Sequence, residues 1–565
     1  MSGGGGLAVV FQHAELGYEC SYITLAYWYE TKSELRVEIE DKVHSYLKTD
    51  TPSNLFNRGW AYEFGIVFPT NQEKAQQLYS DASNQGSSVA RTRLAWCSLK
   101  SGGKSRNSTS IELLKEAASM GDCSAESYLA LCSLSGNGVA KDIKYALDLF
   151  QTAASKGNPH ALYHLGLIYE SEAVSIQNFV ESFRYHSLAA AKGEANAMAH
   201  VAFCYRNGKG VPTNYDSAFS WFLKSAEYGN PNAMVRIAYY LHQGDHTPIN
   251  LPEAVKWYRL AAERGNIFAM NNLAYCYEHG EGTDNDIAEA SYWYDLAATL
   301  GNVVAMKNIG NLYLRDKDRE HDAMKYFQVA AKHGSKEAMV TLGLSHLYGQ
   351  GLDLNVSKAM DWFKFASEGN TDAMNNLGLC YLKSNSEYDH VQAVKWFRLA
   401  AEKNNSDAMH NLGVCYEEGE GVMKDSVEAF HWYRKGAETG NSAAMNNLGF
   451  CYLNGTGISP DSKLALKWFL QSAENGNSDA MNTLGTHFLS IDTSRAIDWW
   501  QKAASKGNGN AMNNLGLCYF LGNGVKKDPQ EALHWCKLAL ENGYSEAVEN
   551  IRIIKEELQK GSNLS

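Results

Sequence analysis

Residues 373–381 read Ala-Met-Asn-Asn-Leu-Gly-Leu-Cys-Tyr, and almost the same phrase returns at Ala444–Tyr452 and Ala511–Tyr519. It is nearly complete at Ala269–Tyr277 and Ala408–Tyr416. The openings Ala373, Ala408 and Ala444 stand 35 and 36 residues apart (408 − 373, 444 − 408). A fixed period of that size is the mark of a solenoid, in which each copy buries its apolar face only against its neighbours. Such a chain offers an extended surface more readily than an active site.

One copy, Asn405–Gly440, carries the plan of the rest. Ser406-Asp407 reads as a helix start, with a cap and a favourable negative charge. Ala408, Leu412, Val414, Cys415 and Tyr416 give apolar contacts at helical spacing. Gly419-Glu420-Gly421 breaks the helix, Asp425 starts a second one, and Ala429, Trp432, Tyr433 and Ala437 give that helix its apolar face before Gly440. Each repeat is thus two antiparallel helices. Glycine inside a helix costs roughly 1 kcal/mol. Its return at Gly166, Gly310, Gly343, Gly378, Gly413, Gly449, Gly485 and Gly516 therefore predicts close helix approach. The bulky counterpart is read as the tryptophan of the second helix: Trp221, Trp257, Trp293, Trp362, Trp396, Trp432, Trp468, Trp499 and Trp535.

Along the chain, 1–53 reads as a non-repeat, helical N-terminal cap, 54–121 as two degenerate repeats, 122–543 as twelve clear ones, and 544–565 as a capping helix and tail. The clear repeats begin at Asp122, Asn158, Glu194, Asn230, Asn266, Asn302, Ser335, Asn370, Asn405, Asn441, Asn477 and Asn508. The Gly-x-Gly loop is rewritten at Glu170–Ile176, Gln243–Asn250, Arg315–Asp322 and Lys383–His390. Irregular loops on a regular scaffold are candidate contact points.

Leu-Gly-x-x-Tyr, Gly-x-Gly-Val, Ala-x-x-Trp-Tyr and Ala-Ala-x-x-Gly together resemble the Sel-1-like repeat family, a relative of the tetratricopeptide repeat. The resemblance runs over roughly residues 54 to 550. It implies an all-α fold, a right-handed α-solenoid of stacked helix pairs. The implied role is an adaptor or scaffold, as in relatives that act in ER quality control, chitin-synthase activation or bacterial signalling.

The chain has 565 residues, 51 Lys plus Arg against 63 Asp plus Glu, and a net charge of −12. That balance disfavours nucleic acid and favours a basic peptide or protein as partner. Nine prolines and 45% hydrophobic residues disfavour disorder. No apolar run reaches the roughly 18 residues of a membrane span, and no signal peptide or lipidation pattern is readable at the start, so cytoplasm is the default expectation. Of eleven cysteines, seven (Cys132, Cys204, Cys276, Cys380, Cys415, Cys451, Cys518) share one repeat position. Equivalent atoms in stacked helices sit about 10 Å apart, beyond disulfide reach, so buried thiols are expected.

Catalytic patterns fail on inspection. Ser101-Gly102-Gly103-Lys104-Ser105 has Ser98 where a phosphate loop needs glycine. Asp316, Asp318, Glu320 and Asp322 mimic a calcium loop, but His321 and Phe327 replace the required glycine and glutamate. His160 and His164 share a helix face, and no further metal ligand is readable beside them. No cofactor, metal or catalytic residue is therefore expected. A hydrolase ranks last, behind an adaptor and behind a regulatory subunit that works on one enzyme through the rewritten loops.

The asparagines remain. Asn272, Asn308, Asn376, Asn411, Asn447 and Asn514 share one repeat position, while Asn271, Asn375, Asn446 and Asn513 precede it. Asparagine is a mediocre helix former, so its recurrence needs a reason. In tetratricopeptide superhelices the first helix lines the concave face. There, carboxamides could hold an extended peptide backbone by its donors and acceptors. Alternatively they satisfy backbone amides, or bond the neighbouring repeat, or simply persist from duplication. The series breaks at His200, Arg236, Thr341 and Thr483 and is absent before Asn272.

Overall fold

The structure is a computed structural model that describes residues 3–100, 104–171, 177–383 and 386–562. The glycine-rich run at 101–103, most of the 170–176 loop and part of the 383–390 loop lie outside the described residues. Among the described residues there are thirty-two α-helices, one 3-10 turn and no strand. The chain divides into two compact bodies, Met1–Ala305 and Met306–Ser565. Within each, helices pair consecutively along the chain, each first helix on its second and that second on the next first, which makes an α-solenoid.

Each repeat starts at a side-chain cap. Asp122, Asn158, Glu194, Asn230, Asn266, Ser335, Asn370, Asn405, Asn441, Asn477 and Asn508 are the N-cap residues of their first helices. Their side chains accept from an amide two or three residues on, satisfying a donor the helix cannot. In the repeat read above, the cap is therefore Asn405, which accepts from the Ala408 amide at 2.8 Å; Ser406 is already the first helical residue. The cap asparagine has a second role. Its Nδ2 donates to the preceding repeat: Asn405 to Asp372 at 2.9 Å, Asn441 to Asp407 at 2.6 Å, Asn508 to Asp479 at 2.8 Å. One side chain starts a helix and bonds it to its neighbour.

The helical glycines do mark close approach, but the filling ring is not the expected tryptophan. A Cβ at Gly378, Gly413 and Gly449 would stand 2.6–2.7 Å from the rings of Phe397, Tyr433 and Phe469, each the residue after a tryptophan. Only at Gly485 is the partner a tryptophan, and it is Trp500, again the second of the pair. Successive positions on a helix lie about 100° apart, so only one of the two rings can face the glycine. The residue after the recurring alanine is a methionine in ten repeats: Met198, Met234, Met270, Met306, Met374, Met409, Met445, Met481 and Met512 are buried, as packing requires, and Met339 is half-buried. The second glycine of the Gly-x-Gly loop presses on the preceding repeat. A Cβ at Gly421 or Gly457 would collide with the backbone carbonyl of His390 or Ser426.

In the N-terminal body, three helices, Gly3–Glu15, Glu19–Thr31 and Ser33–Ser45, precede the first repeat. The second of them reaches well beyond that repeat. Tyr22 stacks on Trp60 with ring centroids 5.3 Å apart. Arg93, 5% exposed, bridges Glu63 at 2.6 Å and Glu19 at 3.2 Å. The Tyr128 hydroxyl donates to Glu19 at 3.1 Å. Further along, Trp28 Nε1 donates to the Glu227 carbonyl at 2.8 Å and Arg264 pairs with Glu30 at 2.9 Å.

Candidate functional site

In the recurring phrase, the second asparagine position and the residue three beyond it lie on one face of the first helix, and the first asparagine position stands about 100° round from the second. The structure uses the asparagines first for bonding between repeats. Asn411 Nδ2 donates to Asn375 Oδ1 at 2.8 Å, Asn514 to Asn482 at 3.0 Å and Asn550 to Asn513 at 2.7 Å. Asn447 Nδ2 faces His410 Nε2 at 3.3 Å. In the other body, Asn271 donates to its neighbour Asn272 at 3.2 Å. At the earlier position Asn375, Asn446 and Asn513 are buried and Asn271 and Asn482 half-buried, whereas at the later one Asn272, Asn308, Asn376, Asn411, Asn447 and Asn514 are all half-buried. Each rung satisfies an amide that burial would otherwise leave costly.

Between successive first helices the same face opens into cavities. One of about 640 Å³ in the N-terminal body is lined by Tyr239, His242, Ile249, Tyr258, Asn272 and Tyr275, so it takes in part of the rewritten 243–250 loop. A second, of about 310 Å³, lies against Tyr163, Glu170, His200, Phe203 and Arg236. In the C-terminal body a third, of about 450 Å³, is lined by Phe450, Leu453, Asn482, Thr483 and Thr486. Aromatic or aliphatic walls with a few polar groups at repeat spacing suit an elongated ligand better than a compact one.

Residues at the asparagine position in the earlier repeats do other work. Arg93 and Tyr128 hold Glu19 of the N-terminal segment, so that part of the face is covered by the chain itself. His164 and His200 follow. His160 Nε2 and His164 Nε2 stand 3.2 Å apart, and His200 Nδ1 lies 3.6 Å from Glu170. Burial lowers the imidazoles of His160 to about 4 and of His164 and His186 to about 3, so all three are neutral near pH 7. The neighbouring His200 imidazole and the Lys209 ammonium hold Glu170 at about 2. Glu170, His186 and His200 each bring one ligand-type atom within 4.8 Å of the others. Of these histidines, only His160 and His164, four residues apart on one helix, are recognisable as a pair from sequence spacing. The available signal was His186, which stands where other repeats carry Phe222, Tyr258 or Phe397.

The thiols offer no nucleophile of lowered pKa: burial pushes Cys276, Cys415 and Cys451 up to about 12. Among the described residues every cysteine is free, and no helix is long and apolar enough to cross a membrane.

A family model described as the Sel1 repeat matches fourteen successive stretches, the first 55–87 and the last 509–544. A crystal structure of a protective antigen present in uropathogenic Escherichia coli strains, displaying an SLR fold, is similar at 28% identity. The similarity covers 76% of this chain and 95% of that one, with a TM-score of 0.60. A Sel1 repeat protein from Oxalobacter formigenes is 22% identical over 69% of this chain and 93% of its own, with a TM-score of 0.27. Yeast Tom70 is 14% identical over 90% and 99%, with a TM-score of 0.33. No curated protein matches the chain.

Proposed function

The chain belongs to the Sel1 repeat family, whose members generally serve as protein-interaction scaffolds, and from that premise we propose that it holds an extended protein segment on the exposed face of its first helices. The observation that carries this reading is that each body opens a cavity between successive first helices, walled by aromatic or aliphatic side chains with a carboxamide at its edge. In this reading Asn375, Asn482 and Asn513 fix the carboxamides of Asn411, Asn514 and Asn550, and the half-buried Asn272, Asn308, Asn376, Asn411, Asn447 and Asn514 meet the backbone of the bound segment. A carboxamide can make up to four hydrogen bonds, so a rung leaves capacity for a ligand. The net charge of −12 favours a basic segment, faster to associate at low salt. Buried thiols and the absence of a nucleophile motif support a non-catalytic role, in the cytoplasm.

Photo-crosslinking tests the reading. A benzophenone amino acid replaces Tyr275 or Phe450 on the proposed face, or Tyr292 or Phe365, which are exposed on second helices. Cross-links from the first pair only are the expected result. Cross-links confined to the second pair reject the face. Cross-links confined to probes within 243–250 support the regulatory-subunit reading instead, in which the rewritten loops make the contact.

A further inference from the structure

His186 sits in the helix Phe179–Ala191 at the position that packs against the helical glycine of its own repeat, here Gly166. Equivalent positions hold Phe222, Tyr258, Phe397, Tyr433 and Phe469, which are apolar rings or carry a single hydroxyl. The imidazole is 0% exposed, and neither ring nitrogen has a hydrogen-bond partner. Burying polar atoms without partners costs about 1–3 kcal/mol each. A chain that merely needed a ring at this point has Phe or Tyr available, as its other repeats demonstrate.

Two further donors converge on that ring. His200, from the first helix of the next repeat, stacks on it with centroids 4.7 Å apart, and Glu170 closes the group from the C-terminus of Pro159–Glu170. His200 Nδ1 faces Glu170 while its Nε2 lies 3.4 Å from the Tyr163 hydroxyl. A metal-bound imidazole needs that kind of outer partner to fix its tautomer and orientation. Glu170 and His200 are 28% and 33% exposed and border the 310 Å³ cavity, which supplies an entry path.

We propose that Glu170, His186 and His200 form a binding site for a divalent transition metal of the zinc type, built across the junction of two repeats. Two imidazoles and one carboxylate are a recurrent nitrogen–oxygen set for such ions, with the fourth position left to solvent. Here that position faces the cavity. Zinc ligands sit about 2.0–2.2 Å from the ion, so atoms now up to 4.8 Å apart must draw inward. Rotation of the partly exposed Glu170 and His200 side chains supplies that movement, while His186 stays fixed in the core. Lys209, 3.3 Å from the other Glu170 oxygen, keeps the carboxylate ionised and turned toward the site.

The test uses the full chain, stripped with a chelator and titrated with Co(II), then with Zn(II). Saturable visible ligand-field absorption of a four-coordinate ion, displaced by Zn(II), is expected. His186→Phe restores the ring that other repeats place against glycine, so it should fold as well as the parent, which circular dichroism checks. His200→Ala removes a partly exposed donor without opening the core. Both should weaken Co(II) binding at least tenfold. Absence of the absorption in the parent, or its persistence in either variant, overturns the proposal, and the comparison with His186→Phe separates this site from any cation held by cysteine.

Discussion

At the scale of single residues, asparagine does two kinds of bonding work. As a cap, Asn405 gives its oxygen to the Ala408 amide and its nitrogen to Asp372 of the repeat before. In mid-helix, Asn411 gives its nitrogen to Asn375. The second kind leaves a clear signature when broken. Asn375 is buried, so Asn411→Ala removes the donor and strands its oxygen. We expect a loss of about 1–3 kcal/mol in urea unfolding, concentrated at that junction and visible as faster hydrogen exchange in the helices Thr371–Leu382 and Ser406–Glu418. The same rung bears on ligand binding. Substituting the asparagines in a binding assay disturbs the scaffold together with the surface, which is why the exposed rings Tyr275 and Phe450 are the better probes of the face.

Within a helix pair, the glycine and the ring opposite it decide the spacing. Alanine is the better helix former by about 1 kcal/mol, yet Gly413→Ala should destabilise. Its new Cβ would lie 2.6 Å from the Tyr433 ring, and overpacking costs typically about 1–3 kcal/mol. A lower denaturant midpoint is expected, and a higher one would mean that the ring has room to move. The repeat plan was legible in sequence because its markers are local: caps, helix-breaking glycines and apolar spacing all sit within one period. The identity of the filling ring was not, since Trp432 and Tyr433 are adjacent, both bulky, and distinguished only by which side of the helix meets its partner. Bonding between repeats was open as one of several explanations for the asparagines, because equivalent residues are remote in sequence and a period reveals recurrence without contact. The histidine group was hidden for the same reason, being drawn from three helices. The path of Glu19–Thr31 across several repeats was unreadable too, for that helix has no copy with which to align it.

For the whole molecule, the N-terminal segment is fastened by charge as well as by rings. Burial alone would raise the Glu19 carboxyl, but Arg93 and Lys100 hold it at about 2, below its usual 4.5. A carboxylate depressed by folding contributes its full stabilisation above the unfolded value and loses it as pH falls toward the folded one. Acidification from about 4.5 to about 2 should therefore loosen Glu19–Thr31 from Arg93 and Tyr128. Hydrogen exchange in that helix should rise over this window, and in Arg93→Met it should already be fast at neutral pH. Unchanged exchange would assign the docking to the remaining contacts, Tyr22 on Trp60, Trp28 on the Glu227 carbonyl and Glu30 on Arg264. The second glycine of the inner loop has a consequence on a longer timescale. Gly421 leaves space for the His390 carbonyl and Gly457 for that of Ser426, so each junction is written half in one repeat and half in the next. A tandem duplication of one whole period carries both halves and can lengthen the array wherever it begins. An exchange between arrays that is out of step sets a side chain against a carbonyl that has no room for it. Lineages of such genes should therefore grow and shrink in whole periods, with crossovers tolerated only in phase.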